Sequence, residues 1–292
     1  MKVTLFLMTF KGYRVLEEIC NDKLHRHIDK VVVGKDRNIE NDYSHEISEL
    51  CVKNKLNYCY RSDLKEINTK YSIAVSWRWM IDCNITKLIV IHDSVLPKYR
   101  GYAPLVNSLI NGERTIGVTA LFATEEYDKG DIIAQSVQKI KYPVKISEAI
   151  DRIIINYTEV VLKVMRMISE GKEIGTYSQN ESDATYSLWR DEEDYQIDWS
   201  LSSEEIVRFI DAVGSPYMGA SSVLGSRKVR IYEAEQFEDK KIENRTAGKI
   251  IFISGDCPVI VCGKGLIRIT KMSYDDTKEN SLPLKFFRAR FK

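Results

Sequence analysis

Leu88-Ile-Val-Ile-His92-Asp93-Ser94-Val-Leu-Pro97 is an apolar run that ends on a histidine and is closed by a proline. A strand with one wet face alternates apolar and polar residues. A continuous apolar run marks a strand covered on both faces, as in a parallel sheet. Toward the N-terminus, Val3–Met8, Lys30–Gly34, Asn57–Tyr60 and Ser72–Ser76 have the same Val-, Ile- and Phe-rich character. Helical stretches at Tyr13–Asn21 and Tyr43–Asn54 separate the first of them. On the other side, Ile116–Thr124 reads as a strand, and a further strand stops before Pro143. This alternation predicts an α/β domain with a Rossmann-like, mostly parallel sheet. In such sheets ligands bind beyond the carboxyl ends of the strands, and His92 stands at one of those ends.

Beyond Pro143 the pattern changes. Ile146, Ala149, Ile150, Ile153, Ile154, Tyr157, Val160, Val161, Val164 and Ile168 form one helical face, which predicts a helix over Ser147–Ile168 ended near Gly171. Ser178–Ser200 carries Asp or Glu at seven positions, with Trp189 and Trp199 among them, and reads as a surface linker. A helix at Ser203–Val213, capped by Ser202 or Ser203, follows. Then come five short strands: Ala220–Leu224, Lys228–Glu235, Gly248–Ile253, Val259–Cys262 and Leu266–Met272. They predict a small OB-like β-barrel. The expected domains are residues 1–200, including a linker from about 172, and 201–292.

Composition narrows the function classes. The 292 residues are 44% apolar and 29% charged, with 43 basic and 42 acidic side chains and a net charge of +1. That balance argues against a protein built to grip a long nucleic acid or an anionic membrane. From residue 201 onward there are 16 basic and 12 acidic residues, against 27 and 30 before it. The basic excess there is a slight hint of an anionic substrate. Cysteines at 20, 51, 59, 83, 257 and 262 make no CxxC pair and have no histidine beside two of them. No zinc site and no disulfide framework is expected, and the reading is six reduced thiols in the cytoplasm. No apolar run reaches the roughly 18 residues a membrane span needs. The start, MKVTLFLMTFK, is broken by Lys11 and reads as a first strand rather than a signal peptide.

The segment after His92 continues Lys98-Tyr-Arg100-Gly101-Tyr-Ala-Pro104, and is followed by Gly117-Val-Thr119 and Asp128-Lys-Gly130-Asp131. Taken singly, His92 fits a hydrogen-bonded structural residue as well as a catalytic one, and Asp-Lys-Gly is good turn chemistry. Taken in order, the series resembles the formyltetrahydrofolate-dependent formyltransferases. Their pattern is Asn-x-His-x-Ser-Leu-Leu-Pro, Arg-Gly-x-x-Pro, Gly-Val-Thr and Asp-x-Gly. Trp189 to Trp199, Ile206–Ile210 and Gly214-Ser-Pro-Tyr-Met-Gly219 resemble the linker and C-terminal start of the sugar and methionyl-tRNA members.

The resemblance implies roles. His92 matches the catalytic histidine and Asp128 its aspartate, with Ser94 beside them as a candidate donor. An attacking amine must lose a proton, and a histidine accepts one at neutral pH. One departure stands out: the family's asparagine falls at Val90, which cannot donate to a formyl oxygen. Replacement by His92, Ser94 or a backbone amide is the favoured reading; a slow enzyme and a folate- or carbohydrate-binding relative that has lost catalysis are the others. The co-substrate implied is 10-formyltetrahydrofolate, with no metal. Its expected place lies between the loop holding Trp77, Arg78, Trp79 and Met80 and the loop holding Thr124 and Tyr127. Plain packing of the tryptophans and solvation of Arg78 are the alternatives there.

The acceptor implied is a nucleotide-linked amino sugar for surface glycan synthesis. A finer likeness of His92–Asn107 to pseudaminic-pathway enzymes points to UDP-4-amino-4,6-dideoxy-N-acetyl-altrosamine. Initiator tRNA is disfavoured by the charge balance, and a homodimer is expected by analogy. Phosphate-binding candidates are Thr9, Lys11, Gly12 and Arg14 in a loop after the first strand, with Lys98 and Arg100. For Arg100, a tie from its loop to a carboxylate fits equally well.

Overall fold

The computed structural model describes residues 1–36, 41–82, 84–284 and 287–292. The chain falls into two compact units. One comprises Met1–Pro104, Thr115–Lys139 and Asp151–Leu188, and the other Leu105–Arg114, Ile140–Ile150 and Trp189–Lys292. The second unit takes up the chain again at Trp189 and includes two short segments from earlier in it.

In chain order the regular elements begin with β1 (Val3–Leu7), α1 (Thr9–Asn21), β2 (Ile28–Val33), α2 (Ser44–Lys53), β3 (Tyr58–Tyr60), β4 (Tyr71–Val75) and β5 (Lys87–His92). Next come β6 (Arg100–Gly101), α3 (Pro104–Ile110), β7 (Thr115–Phe122), β8 (Ile132–Lys139), α4 (Ile146–Ser169) and β9 (Tyr186–Ser187). The last are α5 (Ser203–Val213), β10 (Ala220–Leu224), β11 (Arg227–Phe237), β12 (Ile250–Ser254), β13 (Cys257–Val261) and β14 (Leu266–Tyr274).

The first unit is built on a seven-stranded sheet in the order β3-β2-β1-β4-β5-β7-β8. β1 to β5 run parallel, and β7 and β8 are antiparallel additions at one side. Every residue of β1 and β4 is buried, which is what their unalternating apolar sequences demand. The two-residue strands β6 and β9 pair separately.

α1 starts at Thr9, four residues before the expected Tyr13, so Thr9–Arg14 is helix rather than loop. Gly12 misleads in the sequence because a mid-helix glycine usually marks a turn. Here it lets the helix pass close to β1: a Cβ at Gly12 would meet Leu7 Cβ at 3.2 Å and the Leu7 backbone at 3.3 Å. The glycine thus has a packing role at this crossing.

The second unit holds a five-stranded antiparallel sheet in the order β10-β11-β14-β13-β12. The C-terminal residues bond to both outer strands. Val223 and Lys292 exchange N–H···O bonds of 2.9 and 3.0 Å, while Ile250 donates to Ala289 and Phe291 to Gly248. α5 packs on this sheet and opens with a capping box: Ser202 accepts from the Glu205 amide, and Glu205 accepts from the Ser202 amide. Such caps contribute about 1 kcal/mol.

The stretch from Ser178 to Ser200 is not a loose linker. Trp199 is buried and donates its indole N–H to Ser222 at 3.0 Å, and Ile197 is buried with it. Two of its acids are partners of buried arginines. Glu181 pairs with Arg100 in the first unit, and Glu192 with Arg230 in the second. All seven acids of the stretch remain exposed, as expected of a surface segment, and two of them reach inward to these arginines. Among the described residues, Cys20, Cys51, Cys59, Cys257 and Cys262 are free thiols, and Cys83 lies outside them. No helix of the described residues is long and apolar enough to cross a membrane.

Candidate active site

His92 is the last residue of β5, paired with Thr119 of β7. The segment after it turns away under firm restraint. Ser94 Oγ donates to the Lys98 carbonyl at 2.6 Å. Thr119 Oγ1 donates to the Ser94 carbonyl at 2.7 Å and accepts from the Leu96 amide at 3.1 Å. Gln135 Nε2 donates to the Leu96 carbonyl at 2.9 Å. These bonds fix the Ser94–Pro97 turn, and they commit the Ser94 hydroxyl to the backbone.

The imidazole of His92 is buried. Its Nε2 lies 2.8 Å from the carbonyl oxygen of Tyr99. A carbonyl only accepts, so Nε2 carries a proton, and in the neutral ring Nδ1 is the basic nitrogen. Nδ1 stands 3.5 Å from Asp128 Oδ2. The aspartate reaches it through the β7–β8 connection, which starts level with Leu88, where Ala123 donates to the Leu88 carbonyl. From there it runs back along β5 to His92, about 13 Å at the strand rise.

The Asp128 carboxylate accepts the Gly101 amide at 2.8 Å, and its backbone sits in the left-handed region at φ 54°. Two residues on, Gly130 passes so close to β7 that a Cβ there would lie 1.7 Å from the Phe122 carbonyl oxygen. The Asp128-Lys-Gly130 sequence is thus set by backbone geometry as well as by chemistry. A carboxylate facing a ring that gains a proton stabilises the charged form.

Val90, on the same face of β5 two residues before His92, packs with Leu96, Leu121 and Ile132, and with the cluster around Leu88. The residue is half-buried, with an apolar cluster on its covered side.

The remaining sequence-derived candidates fall into three groups. At the end of β4, half-buried Trp77 lies edge-on to Phe6 and to Trp79, each at a centroid distance of 5.0 Å. The Arg61 guanidinium lies over Trp79 at 4.5 Å, Arg78 pairs with Asp36, and Met80 is exposed. In the second loop Thr124 Oγ1 donates to the Glu126 carbonyl, and Tyr127 is exposed 6.1 Å from the Tyr102 ring. The third group is the phosphate candidates. Lys11 pairs with Asp93, Arg14 with Glu17 and Glu18, and Lys98 is exposed.

Arg100 is fully buried, with bonds of 2.7 and 2.9 Å to Glu181, 2.8 and 3.1 Å to Gln179 Oε1, and 3.3 Å to Tyr186. Of the two readings open to Arg100, the geometry is that of a carboxylate tie, with its N–H groups spent on Glu181, Gln179 and Tyr186. The bonds to Glu181 hold the guanidinium above its ordinary value and Glu181 below the usual carboxylate range. Gln179, Thr185 and Ser187, which hold this loop, have no counterpart among the sequence candidates because their stretch reads as a linker.

Comparison with known proteins places this arrangement. Residues 63–164 match the formyl transferase family and residues 190–286 its C-terminal domain. A methionyl-tRNA formyltransferase of Fusobacterium nucleatum is 30% identical over 203 residues, 69% of this chain and 64% of that protein. Like other relatives of that name, matched over 60% and 58% of their length, it is spanned by less than two thirds. An N-formyltransferase from Helicobacter canadensis, solved with folinic acid and dTDP-3-aminofucose, superposes with a TM-score of 0.68 at 16% identity, over 92% of this chain and 99% of that one. HypX from Aquifex aeolicus, in complex with tetrahydrofolic acid, gives 0.64 at 21% identity, over 96% and 45%. The two structures share the fold. The chain belongs to the formyl transferase family.

Proposed function

We propose that the chain transfers the formyl group of 10-formyltetrahydrofolate to the amine of a nucleotide-linked amino sugar, with His92 as general base. The observation that carries this is the His92 ring, which donates Nε2–H to Tyr99 and leaves Nδ1 basic beside Asp128. The acceptor amine attacks as a free base. As its nitrogen bonds to the formyl carbon, His92 Nδ1 takes the proton, and Asp128 stabilises the imidazolium. His92 then returns that proton to the departing nitrogen as the old C–N bond breaks. The folate supplies the formyl group.

Residues to hold the folate are the Trp77–Met80 loop and the Thr124–Tyr127 loop. A fit to a flat, hydrogen-bonding ring is supported by the indole Nε1 of Trp77, which is buried and has no hydrogen-bond partner among the described residues. With Val90 apolar and Ser94 committed to Lys98, stabilising the formyl oxygen falls to the protonated His92 or to a backbone amide.

The choice of a sugar rests on the near-neutral charge and on the end-to-end likeness to the Helicobacter canadensis enzyme, whose printed ligands are a folate and a dTDP-amino sugar. Of the phosphate candidates, Lys98 is the exposed one; Lys11 and Arg14 would exchange a carboxylate partner for the phosphate. UDP-4-amino-4,6-dideoxy-N-acetyl-altrosamine is the specific sugar to try first. The test is incubation with 10-formyltetrahydrofolate and a panel of dTDP- and UDP-linked amino sugars, read by mass. A formyl adduct on a sugar is expected. An adduct on charged initiator tRNA alone would transfer the assignment to that acceptor, as the curated relatives' names suggest. No adduct on either would leave a binding protein.

A further inference from the structure

Gln179 lies in no catalytic motif, yet every hydrogen-bonding group of its side chain is engaged at the candidate site. Its Nε2 donates to the carbonyls of Asp128 at 2.6 Å and Gly130 at 2.8 Å. Its Oε1 accepts from Arg100 Nε at 3.1 Å and NH2 at 2.8 Å. An amide offers two donor hydrogens and two acceptor lone pairs, and all four are used. Arg100 is itself anchored by the Glu181 carboxylate. A continuous polar chain therefore runs from Glu181 through Arg100 and Gln179 to the backbone on either side of Lys129.

We infer that Gln179 is a positioning residue that acts through Asp128, holding the aspartate turn so that its carboxylate faces His92. The inference rests on the reading of His92 and Asp128 as the reacting pair. The turn needs a clamp. Asp128 adopts a left-handed backbone that a non-glycine residue takes only under strain. Two carbonyls pointing the same way are held there by one amide. Arg100 sets the orientation of that amide, because a guanidinium can only donate and so forces Oε1 toward itself and Nε2 toward the turn. Glutamine satisfies both sides, whereas glutamate satisfies Arg100 and repels the two carbonyls.

The Gly101 amide reports on the clamp, since it donates to Asp128 Oδ2. The neighbouring Arg100 and Tyr102 amides donate to the Thr185 and Ser187 carbonyls and do not depend on Asp128. In Gln179→Met, hydrogen exchange at Gly101 is expected to accelerate tenfold or more while Arg100 and Tyr102 stay protected. kcat should fall at least tenfold with KM for the folate within twofold. In an Asp128→Asn background the same change should cost nothing further, because its effect runs through Asp128.

Unchanged exchange at Gly101, or equal acceleration at all three amides, would overturn the inference. So would an equal loss of kcat in both backgrounds. If Gln179→Met does not fold, Gln179→Glu keeps the Arg100 side of the chain and is read in the same way. Should the wild-type protein formylate no acceptor, the functional reading fails, and the exchange pattern still decides whether Gln179 holds Asp128.

Discussion

The carbonyl oxygen of Tyr99 lies 2.8 Å from Nε2 of His92, and that contact decides which ring nitrogen is left with a free lone pair. It pins the proton on Nε2 and turns Nδ1 toward Asp128. The ring is thereby preorganised by a backbone atom, which substitution of residue 99 leaves in place. Replacing the ring itself is the direct test. His92→Ala should reduce single-turnover formyl transfer about 100- to 10,000-fold, the usual contribution of a positioned general base. Turnover unchanged in His92→Ala would end the assignment.

Val90 provides a second test. Val90 is half-buried against Leu96, Leu121 and Ile132, so Val90→Asn sets an amide beside them and should cost about 1 kcal/mol, read as a lower denaturant midpoint. If His92 or a backbone amide already stabilises the formyl oxygen, the single-turnover rate should stay within about tenfold, well short of the 100- to 1,000-fold worth of a typical oxyanion donor. A gain of that larger size would mean that the natural chain works without such a donor.

Gly130 lies where no side chain fits. In Gly130→Ala the new Cβ would stand 1.7 Å from the Phe122 carbonyl oxygen. The β7–β8 connection must then move, with a stability loss of about 3 kcal/mol or more and a displaced Asp128. Thermal unfolding and kcat should fall together. A variant with wild-type activity and stability would show that the close approach does not exist in solution.

Asp211 gives the second unit a pH signature of its own. Burial raises its carboxyl from 3.8 to about 6; Lys145 opposes the shift and Glu148 and Glu233 add to it. The folded state then holds a proton that the unfolded chain releases near pH 4, so stability declines as pH rises from about 4 to about 6 and is level above. Asp211→Asn removes that loss. It should stabilise the protein by about 2–3 kcal/mol at pH 7.5 and have no effect at pH 3.5. Equal effects at both pH values would show that ionisation is not the cause.

How much of this was legible in the sequence depends on what each residue answers to. Strands β1, β4 and β5 are written plainly, since burial on both faces needs unbroken apolar runs. α5 matches its expected limits because Ser202 and Glu205 signal its start locally. The start of α1 does not read correctly, because Gly12 answers to the nearby Leu7 rather than to the helix. The acidic stretch from Ser178 onward does lie at the surface, and only its long-range pairing is hidden in the sequence. Glu181 and Glu192 stay exposed, yet each reaches a buried arginine, Arg100 and Arg230, from 81 and 38 residues away. In the site, His92 and Asp128 follow from motif order. Gln179 does not, because its role exists only once two loops and a strap have met.

The C-terminal residues that bond to β10 and β12 have a consequence for how the second unit meets other chains. A sheet normally leaves its outer strands with idle amides and carbonyls, which a foreign strand can join. Here the amide and carbonyl of Val223 are both taken by Lys292, and the Ile250 amide by Ala289. Clipping the last four residues would turn a self-sealed surface into two adhesive borders. A truncated chain should therefore aggregate by strand addition even where its own fold survives.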